Sequence, residues 1–178
     1  DSLEGFNDWQ KRHERPEFRV GIGINYGFVT VGNIGHAEKK LNYTIIGDQV
    51  NLASRLEGLT KQYQEPMIVS ESMYRYVGRD YPCRILDRVA VKGRSTGLTI
   101  YGPRRSLTPE EERAWDLHHS ALQGYYNREF EEAARRFDEV GRMLPGDEVS
   151  RMFAERARLF AASPPPESWN GVEVMLEK

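Results

Sequence analysis

Asn51 and Arg55 stand four residues apart in the run Asp48-Gln49-Val50-Asn51-Leu52-Ala53-Ser54-Arg55-Leu56-Glu57. In a helix that spacing stacks the two side chains one above the other. A neutral amide donor beside a permanently charged guanidinium suits an anionic, oxygen-rich ligand. Just upstream, Lys40 and Thr44 offer an ammonium and a hydroxyl, and Lys92, in Val91-Lys92-Gly93-Arg94, offers a second ammonium. Taken singly, each has a plainer explanation. Lys39 and Lys40 read as a solvated loop pair, Arg55 as a partner for Glu57 or an acid of the C-terminal region, Asn51 as a donor to the first helical turn, and Lys92 as a polar turn residue. Asn51 and Arg55, stacked on one exposed face, remain the pair that suits an anionic, oxygen-rich ligand.

The elements that must hold these groups are legible from pattern. Thr44-Ile45-Ile46 is a short β-branched run, Gly47 a turn, and Asp48 the expected N-cap of a helix. Leu52, Leu56, Leu59 and Tyr63 recur at helical spacing and define one buried face, with Asn51 and Arg55 to one side of it. Upstream, residues 3–15 carry Leu3, Phe6 and Trp9 on one face of a helix stopped before Pro16. Residues 18–25 read as a strand, Tyr26-Gly27 as a turn and 28–35 as the returning strand. Gly21 and Gly23 are expected where backbone packs closely on a neighbour. Residues 66–70 form a short buried strand, and Ser70 caps a short helix reaching about Val77. Residues 84–92 and 98–101 pair as strands about the turn Lys92-Gly93-Arg94-Ser95, ended by Pro103. The sum is an α+β sandwich, with helices on one face of a largely antiparallel sheet.

That domain takes residues 1–105. Residues 106–163 form a helical module that opens with a capping box, Thr108-Pro109-Glu110-Glu111. Its apolar positions are Trp115, Leu117, Ala121, Leu122 and Tyr125, then Phe130, Ala133, Ala134, Phe137, Val140 and Leu144, then Val149, Met152, Phe153, Ala157 and Phe160. Ala121, Ala133, Phe137 and Pro145 resemble one tetratricopeptide unit, whereas a solenoid needs about three. The module is therefore expected to dock on the first domain or on a second copy of it. Residues 164–178 are a Pro-rich tail, with Trp169 either against the surface or loose.

Composition narrows the class. The chain has 178 residues, 39% hydrophobic and 29% charged, enough to bury a core. A formal net charge of −2 gives no bulk attraction to nucleic acid or to an anionic membrane. Cys83 is the only cysteine, which excludes an intrachain disulfide. No apolar run approaches the ~20 residues of a membrane span, and no signal peptide is visible. The first residue is not Met and the opening reads as the middle of an element, so the expectation is a piece of a longer protein.

Tyr43-Thr44-Ile45-Ile46-Gly47-Asp48, then Val50-Asn51-Leu52-Ala53-Ser54-Arg55-Leu56, preceded by Gly32-Asn33-Ile34-Gly35, resembles the second half of a class III nucleotide cyclase catalytic domain. The resemblance covers roughly residues 5–103. It implies a ferredoxin-like class III cyclase sandwich, here partial with its N-terminal half missing, followed by the helical module. In that family the active site lies between two catalytic domains packed head to tail, so a homodimer is implied. The resemblance implies that Asn51 orients the ribose of ATP and that Arg55 meets the charge developing at the α-phosphate. It places Lys40 and Thr44 at the base-reading positions, where Lys donates to N1 of adenine and Thr accepts from its N6 amine. Lys92 matches the lysine on the triphosphate. The implied activity is adenylate cyclase, converting ATP to 3′,5′-cyclic AMP and pyrophosphate in the cytoplasm, including the cytoplasmic portion of a membrane-anchored protein. Direct contact of this segment with a membrane or with nucleic acid is not expected.

The sequence departs from the family at the metal site. Asp1 and Asp8 lack the flanking residues and position of the metal-binding aspartates, so Mg or Mn is expected for the full-length enzyme and not for this segment. The segment alone is therefore expected to make little or no cyclic AMP. The competing expectation is a degenerate nucleotide-binding or regulatory domain acting through protein contacts, with the helical module as its surface.

Overall fold

The computed structural model describes residues 2–36, 40–91 and 97–175. Its order is α1 (Ser2–Arg12), β1 (Ile22–Ile24), β2 (Thr30–His36), β3 (Lys40–Ile46), α2 (Asp48–Tyr63), β4 (Met67–Ser70), α3 (Glu71–Val77), β5 (Cys83–Val91), β6 (Leu98–Pro103), α4 (Pro109–Tyr126), α5 (Phe130–Met143), α6 (Glu148–Ala162) and β7 (Glu173–Met175). The fold is α+β, as the sequence pattern implies, with a sheet order of β1-β4-β6-β5-β7.

Two details of the sheet differ from expectation. It is mixed rather than largely antiparallel: β1 pairs β4 and β5 pairs β7 in parallel, while β4/β6 and β5/β6 are antiparallel. The segment after Tyr26-Gly27 does not return along β1. β2 instead pairs with β3 as a separate two-stranded ribbon, Thr30 opposite Ile46 through His36 opposite Lys40. The physical reason lies in α2, which packs on β1 so closely that a Cβ on Gly23 would sit 2.3 Å from both the Ala53 carbonyl oxygen and the Glu57 nitrogen. A helix seated on glycines delivers the chain to β4, which takes the place beside β1.

Leu52, Leu56, Leu59 and Tyr63 of α2 are buried as the periodicity requires. They meet Ile68, Leu86, Val89 and Ile100 from the sheet, and the same cluster runs on without a break into Ala121, Leu122 and Tyr125 of α4 and Phe137 and Phe153 of α5 and α6. Each leucine, isoleucine, valine or phenylalanine among them contributes about 1.5–3 kcal/mol when fully buried. Tyr101 follows Ile100 on β6, so it points to the opposite face, where it stacks on Tyr74 of α3 at 4.0 Å. Helices therefore cover both faces of the sheet.

The caps are those the sequence specifies at two of three helices. Ser70 accepts from the Met73 nitrogen, and Thr108 and Glu111 form a reciprocal capping box. At α2 the cap is Gly47, not Asp48, which is the first helical residue and makes no side-chain cap bond. Gly47 adopts φ 154° and ψ 157°, a conformation open essentially to glycine alone.

The helical module docks on β5 rather than standing apart. Arg84 of β5, 2% exposed, donates two 2.6 Å bonds to the Asp147 carboxylate and one of 3.0 Å to Ser150. Its Nη2 also lies 3.1 Å from His118 Nδ1, and His118 Nε2 lies 2.9 Å from the Ile85 carbonyl. That geometry sets the tautomer: Nε2 carries the proton and Nδ1 accepts. Burial, then the Arg84 charge, lowers the His118 pKa well below its ordinary value. His119 Nε2 accepts from the Ile85 N–H at 3.1 Å, so α4 holds both backbone groups of that residue. After α6 the chain returns: Trp169 packs edge-on against Tyr125 and Phe160, and β7 adds a fifth strand beside β5.

Candidate active site

The candidate site is built on the passage from β3 through Gly47 into α2. Thr44 lies opposite Gly32 in the ribbon, exposed. Lys40 is the first residue of β3, and its side chain lies outside the described part. Asn51 and Arg55 are both exposed, one turn apart on α2 and adjacent to the buried Leu52 and Leu56. The structure thus brings Thr44, Asn51 and Arg55 onto one strand–turn–helix unit. Lys92 lies outside the described residues; in the chain it follows Val91, the last residue of β5.

Both ends of α2 are fixed by polar contacts that the sequence pattern did not single out. At its start, Asn25 donates to Gln49 Oε1 at 2.8 Å and to the Gln49 carbonyl at 3.1 Å. Ser72 Oγ donates to Asn25 Oδ1 at 3.0 Å, which ties in the first turn of α3. An asparagine directly after an apolar strand was the available signal. At its end, Tyr63 Oη donates to Asp87 Oδ2 at 2.8 Å. Burial, then the adjacent Asp87 charge, raises the Tyr63 pKa far above its ordinary value, so the phenol remains a donor.

A permanently charged side chain and an amide, exposed one turn apart on a helix pinned at both ends, are of the types that donate to an oxyanion. Among the described residues no three His, Cys, Asp or Glu side chains converge to hold a metal ion. Among the described residues no helix is long and apolar enough to cross a membrane.

The sequence profile of the family described as "Adenylate and Guanylate cyclase catalytic domain" matches residues 3–102. The chain belongs to that family. It is 42% identical over 99 residues to adenylate cyclase 1 of Rhizobium meliloti (strain 1021), a match covering 56% of this chain and 15% of that protein. It is 38% identical over 107 residues to an adenylate cyclase of Anabaena cylindrica, covering 56% of this chain and 21% of that one. The chain thus spans about a fifth or less of the length of these relatives. The crystal structure of the adenylyl cyclase CyaB from P. aeruginosa superposes with a TM-score of 0.51 at 34% identity, covering 60% of this chain and 55% of that chain. The family match covers α1 through β6, including every residue of the candidate site.

Proposed function

We propose that this chain is part of an adenylate cyclase that forms 3′,5′-cyclic AMP and pyrophosphate from ATP. The observation that carries the reading is the exposure of Asn51 and Arg55 one turn apart on a helix whose opposite side is buried. In this role Asn51 orients the ribose, so that its 3′-oxygen faces the α-phosphate. Arg55 donates to the α-phosphate oxygens as negative charge builds there, an interaction strongest in the transition state. Lys92 neutralises the triphosphate. Lys40 and Thr44 recognise adenine by donating to N1 and accepting from the N6 amine, a pattern that guanine does not complement.

The site is completed by a second catalytic domain packed head to tail. The β2–β3 ribbon supports this reading. Tyr43 is 75% exposed, Ile45 and Ile46 are about half exposed, and Phe28 just before β2 is fully exposed. Apolar groups gathered in this way mark an interaction surface. In this reading Mg or Mn is held by residues outside this chain, so the chain alone turns over little or no ATP.

The test is cyclic AMP formation by the full-length protein with ATP and Mg²⁺ or Mn²⁺. Arg55→Ala is expected to lower kcat by about 10²–10³-fold, the cost of removing one oxyanion donor. Asn51→Ala is expected to fall in the same range. Unaltered turnover in both variants refutes the assignment. GTP used as well as ATP refutes the role of Lys40 and Thr44.

A further inference from the structure

Away from the exposed face of α2, one carboxylate is buried where four elements meet. Asp87 of β5 is 1% exposed. Its Oδ2 accepts from Tyr63 Oη of α2 at 2.8 Å and from Arg156 Nη1 of α6 at 2.6 Å. Its Oδ1 accepts from the Arg88 backbone N–H at 2.7 Å. The same Arg156 nitrogen lies 4.0 Å from Glu173 on β7. Burial raises the Asp87 pKa, and the Arg156 charge draws it back.

A buried ion pair is a poor source of stability, because apolar side chains of similar volume hold a core as well or better. What it supplies is direction. Tyr63 and Arg156 approach one carboxylate oxygen along fixed lines, so α2 cannot slide along β5 without breaking a hydrogen bond. Tyr63 lies on the same rigid helix as Asn51 and Arg55, and β5 is the strand that leads to Lys92.

We infer that Asp87 and Arg156 are positioning residues: the α6 guanidinium, locked on the Asp87 carboxylate, sets the depth and angle at which α2 meets β5. It thereby holds Asn51 and Arg55 in register with the phosphates of the nucleotide. This rests on the assignment of those two residues made above. The helical module then supports catalysis through its hold on Asp87 and α2, without touching substrate.

Three variants of the full-length protein separate positioning from folding. Arg156→Gln strips the buried carboxylate of its cation and lowers the urea midpoint. Asp87→Asn combined with Arg156→Gln replaces the charged pair by two amides and recovers that midpoint. In both, kcat is expected to fall about 10- to 100-fold, since a small misplacement of a donor has that effect. KM for ATP should move less than about threefold, and Arg156→Lys should recover most of kcat. A double variant that regains wild-type kcat along with its stability overturns the inference, as does one in which only KM moves. If the wild-type protein forms no cyclic nucleotide, the assignment of Asn51 and Arg55 fails by that result alone. The positioning is then read from amide hydrogen exchange over residues 49–56: faster exchange in the double variant supports it, and wild-type protection there refutes it.

Discussion

Replacing Asp147 by alanine removes two interactions at once. The carboxylate caps α6, accepting from the Ser150 nitrogen at 3.0 Å. It is also the counter-ion of Arg84, whose side chain is 2% exposed against 11% for Asp147. Losing a cap costs about 1 kcal/mol. Leaving a buried guanidinium uncompensated costs about 3–5 kcal/mol. The two are not additive, because Arg84 can recruit water once the helix start loosens, so about 4 kcal/mol is expected for Asp147→Ala. Asp147→Asn keeps a capping oxygen and one acceptor for Arg84 while removing the charge, and should cost about 2 kcal/mol. With a urea m-value of about 2 kcal/mol/M, these become midpoint shifts of about 2 M and 1 M. A pH arm checks the cause. Burial pushes the Asp147 carboxyl up, but the Arg84 hydrogen bonds and charge, with Ser150, bring it down from 3.8 to about 2. A carboxylate lowered in the fold stabilises above its unfolded pKa and loses that contribution as pH falls through the folded one. The gap between wild type and Asp147→Asn should therefore hold down to pH 4 and close toward pH 2. A midpoint shift under about 0.5 M for Asp147→Ala would refute the view that this pair anchors the module.

His118 gives the opposite end of the acid range. It is neutral in the fold and protonates in the unfolded chain, so stability is complete above pH ~6.5 and declines below it, by up to about 1.4 kcal/mol per pH unit. The groups facing it are Arg84 of β5, His119 of its own helix, Ser150 of α6 and Asp147 at the cap of α6. His118→Gln should flatten most of that slope between pH 6.5 and 5 in urea titrations; an unchanged slope places the proton uptake elsewhere. Gly23→Ala should lower stability by about 2–3 kcal/mol, because its Cβ meets α2 backbone that cannot yield; thermal unfolding reads this directly. Gly47→Ala should cost about 1–3 kcal/mol through its φ of 154°, and an equal-stability variant would show that the β3–α2 passage is not strained.

Whatever repeats locally was legible. The α2 stripe could be read because one face of the helix is buried from Leu52 to Tyr63, and the capping box at Thr108 because all of its members fall within four residues. The exposed pair Asn51 and Arg55 follows from the same stripe. What could not be read depends on partners far away in the chain. Arg84, Asp87, Asp147 and Arg156 look like surface charges by composition, and only the pairing of Arg84 with Asp147, and of Asp87 with Arg156, lets Arg84 and Asp87 be buried. The hairpin expected after Tyr26-Gly27 failed for a related reason. Turn chemistry permits a return strand, but the helix seated on Gly23 commits the place beside β1 to β4.

A C-terminal segment that reads as a polar tail becomes a strand because of the free edge of β5. β6 occupies one edge of β5, and the bulge between Ile85 and Asp87 breaks the regular ladder there. The other edge must also satisfy its backbone groups, since an unpaired buried N–H or C=O is costly. His118 and His119 do this at Ile85. From Val89 to Val91, Glu173 to Met175 pair in parallel with the same edge. Trp169, wedged against Tyr125, Phe130 and Phe160, fixes where the chain turns back. Two histidines and three strand residues thus occupy this edge at Ile85 and at Val89 to Val91, and the module is tied to β5 by histidine bonds to its backbone as well as by two ion pairs.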